Sequence, residues 1–251
     1  MNVNPLVSIV TPSFNQVNFI EQTILSVLNQ TYKNIEYIII DGGSTDGSLE
    51  IIKHYSPSLK YWVSEKDSGQ TEALLKGLKQ SKGQLFAYIN SDDLLEPNAV
   101  QLMVDAFIST PQISLIYGQC QVIDENNNII IPFSGESISF KKLLTQSMMP
   151  SIHQPACFFN LNQIDRKLFD VKYSFCFDYE LILWILKNKE AKFIKEHIAQ
   201  YRIHKETKTN VFTKKMYEEK LKIQWQYGKK YWPLWILRRF KHFFNSLITN
   251  I

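Results

Sequence analysis

Short apolar runs and helically spaced apolar residues alternate along the first 110 positions. Leu6 to Thr11 reads as a strand stopped by Pro12. Val17 to Gln30 carries Ile20, Ile24, Leu25, Val27 and Leu28 at helical spacing. Ile35 to Ile40 is a second strand. A helix follows, capped by Ser44 or Thr45, whose apolar face includes Leu49, Ile51 and Ile52. Leu59 to Val63, a helix over Thr71 to Lys82, and an apolar strand over Gln84 to Ile89 complete the series. Pro97 suits the first turn of a helix running to about Phe107. Strand–helix alternation of this kind predicts parallel strands in a sheet covered on both faces.

The alternation then breaks. Leu115 to Tyr117 and Gln121 to Ile123 read as strands, and Asp124 to Asn128 as a hairpin turn before Ile129-Ile130-Ile131. Ser139 to Gln146 and Tyr179 to Asn188 read as helices, and Ala156 to Phe159 and Ile198 to Ile203 as strands. From Thr213 on, the pattern is helical, interrupted near Trp232-Pro233.

Composition narrows the class. The 251 residues are 45% apolar and 21% charged, ordinary for a globular protein. Three scattered cysteines, Cys120, Cys157 and Cys176, form no Cys-x-x-Cys pair, so neither a disulfide framework nor a cysteine zinc site is expected. No basic segment precedes the first apolar run, and no window is long enough to span a bilayer, so a signal peptide and membrane-spanning helices are not expected. The net charge of +4 is uneven. From Lys214 onward nine Lys/Arg face two Glu, and the remainder carries nineteen basic and twenty-two acidic residues. An acidic body without an RNA or DNA motif argues against nucleic acid as a partner. The segment Lys229 to Phe244 mixes cations with Trp, Tyr and Phe, a composition that fits either a membrane-interface helix or a terminal helix packed through its aromatic face.

The chemistry-bearing residues cluster at strand ends. Asn90-Ser91-Asp92-Asp93 closes one apolar strand, and Asp41-Gly42-Gly43-Ser44-Thr45-Asp46-Gly47 follows another, where a ligand site is expected in an α/β sheet. Adjacent carboxylates are costly there unless a cation meets them. Side chains alternate along a strand, so Asp92 and Asp93 point apart. Either tetrapeptide or loop also reads as a plain polar turn. Glu65 to Ala73 opens a helix whose N-terminus can face phosphate, or is simply capped. Asp178 precedes a helix and reads as its N-cap. His204, near Arg202, Lys205 and Lys208, suits an anion site such as a phosphate contact, or is structural.

In sequence order these segments resemble the family 2 glycosyltransferases of GT-A type, the bacterial single-addition enzymes of polysaccharide synthesis. The resemblance rests on Ser8 to Asn15, Asp41 to Gly47, Asp67-Ser68-Gly69-Gln70 with Ala73 and Lys76-Gly77, and Asn90 to Asp93. More loosely it extends to His153-Gln154-Pro155, Asp178-Tyr179-Glu180 and Tyr201 to His204. It implies a Rossmann-like, mostly parallel sheet flanked by helices, with an irregular acceptor-side half and C-terminal helices. Residues 1–212 would form the GT-A domain, nucleotide-binding to about 110 and acceptor-binding from 111. Residues 213–251 would form a basic, aromatic extension. Thr11, Pro12, Ser13, Asp41, Gly69, Gln70, Asn90 and Asp92 are implied to hold the sugar nucleotide, by default a UDP-sugar. Asp93 and His204 are implied to hold Mn²⁺ or Mg²⁺, and Asp178 to be the general base.

The implied activity is inverting, metal-dependent transfer of one sugar to a saccharide or lipid-linked saccharide by a cytoplasmic enzyme; if the tail docks on the inner membrane face, a lipid-linked saccharide is the expected acceptor. The Gln-x-x-Arg-Trp segment of processive members is absent, and Gln224-Trp225 does not reproduce it, which favours single addition. A nucleotidyltransferase would carry a glycine-rich basic loop after the first strand, and Thr11 to Val17 has neither glycine nor a basic residue. A sugar-nucleotide-binding protein without catalysis is the remaining alternative.

Overall fold

The computed structural model describes residues 4–132, 135–145, 152–169, 173–207 and 214–229. Strand β1 (Val7–Ser13) is followed by α1 (Ile20–Leu28), β2 (Ile35–Asp41), α2 (Ser48–Tyr55), β3 (Tyr61–Ser64), α3 (Gln70–Gln80) and β4 (Leu85–Tyr88). These four strands pair parallel in the order β3-β2-β1-β4. Strand order therefore reverses between β1 and β4, and a crevice opens beyond their carboxyl ends. Period-two burial assigns each strand residue to a layer. Val7, Ile9, Leu85 and Ala87 join the cluster under α1 and α2, whereas Val10, Ile38, Phe86 and Tyr88 join the one under α3. A β-carbon on Gly77 would collide with the Val10 side chain, so α3 sits closer to the sheet than any other residue there allows.

The second half continues the same sheet with mixed pairing. β5 (Leu94–Leu95), α4 (Ala99–Ser109), β6 (Leu115–Ile123), β7 (Ile129–Ile131), α5 (Phe140–Thr145), β8 (Cys157–Asn160), α6 (Phe177–Asn188), β9 (Ala191–Arg202) and α7 (Lys214–Gly228) follow in turn. β8 runs antiparallel between β4 and β6, β9 lies parallel to β6, and β5 closes antiparallel on β9.

Several expected boundaries move. Leu115 to Ile123 is one strand, its pairing with β9 shifting register around Gly118, where a β-carbon would strike Ile198. β9 begins at Ala191, earlier than its apolar pattern suggests, because residues 195–197 face solvent. Pro97 precedes the helix rather than opening it, and α4 starts at Ala99. Ser44 does not cap α2; Asp46 accepts from the Ser48 amide instead. Helix α7 buries Ile223 and Tyr227 in the same core as α3 and α6. The basic, aromatic tail segment from residue 230 on, read as either a membrane-interface or a packed helix, and the Trp232-Pro233 interruption lie outside the described residues.

Candidate active site

The loop after β1 is stitched to the loop after β2. The amides of Asn15, Gln16 and Val17 donate to Ser44 Oγ, Ser48 Oγ and Asp46 Oδ2 at 2.8–2.9 Å. The Asp41 carboxylate is fully buried and closed within its own loop. It accepts from Gly43 N, Ser44 N, Ser44 Oγ and Ser64 Oγ at 3.2, 2.9, 2.5 and 2.6 Å. The Thr11 hydroxyl likewise points inward, 2.9 Å from the buried Tyr37 hydroxyl, whose pKa burial pushes up. Pro12 is buried in the strand. Ser13, at the carboxyl end of β1, differs: its buried Oγ has no hydrogen-bond partner among the described residues.

Gln70, in the first turn of α3, reaches the acid tip. Its Nε2 donates to Asn90 Oδ1 at 2.5 Å, and Asn90 Nδ2 donates to Asp93 Oδ2 at 3.1 Å. Gly69 before it has φ +126° and open space where a β-carbon would stand, and its amide donates to Asp67 Oδ1 at 2.8 Å.

The two adjacent carboxylates have separate surroundings. Asp93 is fully buried: Oδ1 accepts the Arg202 backbone amide at 2.9 Å, Oδ2 accepts Asn90, and its carbonyl accepts Thr23 Oγ1 at 2.8 Å. Burial, reinforced by the Asp92 charge, pushes its pKa well above the usual carboxylate range. Asp92 faces the rim, its Oδ2 lying 3.0 Å from His204 Nε2. The two side chains are 15% and 4% exposed. Phe19 stacks at a tilt 4.6 Å from the His204 ring.

Arg202 builds this corner, a role its place beside His204 in sequence only hinted at. Its guanidinium is fully buried, donating from Nε to the Asp92 carbonyl at 2.7 Å, from Nη1 to Asn127 Oδ1 at 2.6 Å and from Nη2 to Gln22 Oε1 at 3.1 Å. It also lies over the Phe19 ring at 4.9 Å.

Asp178 stands in the first turn of α6, half-buried, its Oδ1 accepting the Tyr179 amide at 2.7 Å. Next to it lies Tyr88, the last residue of β4, 5.8 Å from the Phe177 ring, with a buried hydroxyl lacking a hydrogen-bond partner among the described residues. Burial holds the Tyr88 pKa well above its usual value, and the charges of Asp178, Cys157 and Asp93 add to it. That phenol thus lies within electrostatic reach of both the acid tip and the α6 carboxylate. Gln154 Nε2 ties the next segment to the Tyr88 carbonyl at 2.6 Å, and burial pushes neighbouring His153 down to about 4.

An O-donor and an N-donor at the rim suit a Mg²⁺- or Mn²⁺-type cation that takes its other ligands from diphosphate and water. Among the described residues no group of three or more His, Cys, Asp or Glu forms a protein-only metal cage.

The family model for glycosyl transferase family 2 matches residues 8–169. The chain belongs to glycosyl transferase family 2. It is 30% identical over 213 residues to an uncharacterized glycosyltransferase of Rickettsia typhi, an alignment covering 82% of this chain and 67% of the relative. It is 34% identical over 148 residues to the chondroitin synthase of Escherichia coli, covering 58% of this chain and 21% of that protein. Among solved structures, S. aureus TarS in complex with UDP-GlcNAc superposes with a TM-score of 0.65 at 16% identity, over 85% of this chain and 64% of that one. The mannosyltransferase PcManGT of Pyrobaculum calidifontis, in complex with GDP-Man and Mn²⁺, gives 0.57 at 16%, over 81% and 59%. The fold is the GT-A fold of these glycosyltransferases, and the protein is a glycosyltransferase. No helix among the described residues is long and apolar enough to cross a membrane.

Proposed function

We propose that this family 2 enzyme transfers a single sugar from a nucleoside-diphosphate sugar, with uridine as the default nucleotide, to a hydroxyl of a saccharide or lipid-linked saccharide. The observation that carries this reading is the Asp92–His204 pair, 3.0 Å apart beyond the carboxyl ends of β4 and β9. We assign the cation to this pair rather than to Asp93, because both Asp93 oxygens already accept internal hydrogen bonds and no surface remains exposed. A bound Mg²⁺ or Mn²⁺ would supply positive charge against that developing on the departing diphosphate. Ser13 Oγ and the amino end of α3 offer donors on the nucleotide side, while Asp41 and Thr11 shape the pocket from within.

On the other wall, Asp178 accepts the proton of the acceptor hydroxyl as its oxygen attacks the anomeric carbon. One base opposite the leaving diphosphate means direct displacement and inversion. The basic, aromatic tail would hold the enzyme on an anionic inner-leaflet surface, within reach of a lipid-linked acceptor. Deletion after Tyr231 then abolishes binding to anionic vesicles, and undiminished binding refutes the membrane role.

The deciding experiment pairs a thermal-shift panel of sugar nucleotides, with and without Mn²⁺, with transfer by Asp178→Asn. Expected are metal-dependent stabilisation by one donor, unchanged in the variant, and transfer reduced by about 10²- to 10⁴-fold. A product retaining the donor's anomeric configuration, or wild-type transfer by the variant, overturns the mechanism.

A further inference from the structure

Three successive amides just before α6 converge on one side chain from α7. Ser174 N donates to Glu219 Oε1 at 3.2 Å, and Phe175 N and Cys176 N donate to Oε2 at 2.9 and 3.2 Å. Glu219 is 7% exposed, on a helix rich in charged residues whose other acid, Glu218, faces solvent. A buried carboxylate is costly unless its lone pairs are filled, and three amides in a row fill them as a nest fills an anion.

The grip extends past the loop. Cys176 Sγ donates to the Met216 carbonyl at 3.5 Å, and Lys220 Nζ lies 5.2 Å above the Tyr179 ring. Gln224 Nε2 donates to the Leu144 carbonyl at 2.9 Å. Contacts from α7 thus bracket Asp178 on both sides in sequence, at residues 174–176 and at Tyr179, whose amide in turn fixes the Asp178 carboxylate.

We infer that Glu219 is a positioning residue for Asp178, setting the place of the α6 amino end and hence of the carboxylate opposite the donor. The inference rests on the reading of Asp178 as the general base. A base displaced by an ångström loses rate without loss of donor affinity. Glutamine has the same shape but replaces one acceptor with a donor, so it keeps two of the three amide bonds at best.

The test compares Glu219→Gln and Glu219→Ala with wild type and Asp178→Asn, reading kcat, donor KM, and thermal stabilisation by UDP with Mn²⁺. For Glu219→Ala, kcat is expected to fall roughly 100-fold with donor KM and UDP stabilisation unchanged, and Glu219→Gln to fall less. In the Asp178→Asn background, Glu219→Ala is expected to add no further loss, and exchange of the 174–176 amides to lose protection. Wild-type kcat in both Glu219 variants beside an inactive Asp178→Asn overturns the positioning role and leaves the base assignment standing. Additive losses in the double variant assign Glu219 to stability alone and also overturn it. Wild-type transfer by Asp178→Asn removes the base reading and this inference with it. Should Glu219→Ala fail to fold, the isosteric Glu219→Gln decides by the same readouts.

Discussion

On the nucleotide side of the site, the acids that the motifs single out point into the protein: Asp41 into its own loop, Asp93 onto Asn90 and the Arg202 amide. At α6, Asp178 sits half-buried in a helix start whose position is held from α7, about forty residues later in the chain. The first arrangement is local and over-determined: four parallel strands, loops sewn to each other, and an Asp92–His204 pair at the rim. The second depends on a few long-range contacts around one short loop. A motif carboxylate is therefore as apt to be the frame of a binding loop as its contact, and burial with saturated hydrogen bonds tells the two apart.

The largest expected effect breaks that distinction at a single peptide bond. Asp92→Asn should lower metal-dependent transfer by at least about 100-fold while leaving unfolding free energy near wild type, because among the described residues its carboxylate bonds to His204 at the rim. Asp93→Ala should lower stability by about 3 kcal/mol, since it strands the Asn90 amide and the Arg202 N–H in the interior. Paired activity and urea-unfolding measurements check this. The opposite pattern, with Asp93→Ala stable and unable to use Mn²⁺, would return the metal to Asp93.

Next in size is Asp41→Ala, which removes the acceptor of four hydrogen bonds from Gly43, Ser44 and Ser64. Stability should fall by about 2–3 kcal/mol, with UDP affinity weakened through the loosened loop. If the variant keeps wild-type stability and loses UDP binding alone, Asp41 is a contact and not a frame.

The same contrast explains what could be read from the chain. β1, β2 and β4 were legible because both faces are buried and their apolar runs end sharply at polar tips. That Asp92 and Asp93 diverge follows from strand alternation, but which one faces the rim is set by Arg202, more than a hundred residues away. β5, two residues long, has no pattern of its own and exists through pairing with β9. Glu219 carries no signal either: on a charged helix it reads as solvated, and only tertiary contact with 174–176 distinguishes it from Glu218.

A pH experiment probes the acceptor half by itself. Burial lowers the His153 pKa from 6.5 to about 4, so the unfolded chain binds a proton between those values that the folded chain does not. Stability from this group is therefore complete above about pH 6.5 and is lost as pH falls toward 4. Between pH 7 and pH 5 the loss should be about 2 kcal/mol, measured by urea unfolding. His153→Phe should flatten that slope. An unchanged slope would mean that other groups govern acid sensitivity.

The smallest effect concerns the cysteines, which report local opening. Burial raises all three thiol pKa values, well above the usual range for Cys120 and Cys157 and to about 12 for Cys176. Native protein should accordingly react slowly with a thiol reagent. Cys120 lies in β6 and Cys157 in β8, both fully buried within the sheet, so labelling them needs opening close to global unfolding. Cys176 lies in the loop that Glu219 holds and is 6% exposed, so releasing that loop is enough to expose it. Cys176 should label first under native conditions, and Glu219→Gln should accelerate its labelling while leaving the other two rates unchanged. Labelling of Cys120 or Cys157 ahead of Cys176 would mean that the acceptor-side loop is as firmly held as the sheet, and the contrast between the two halves would fail.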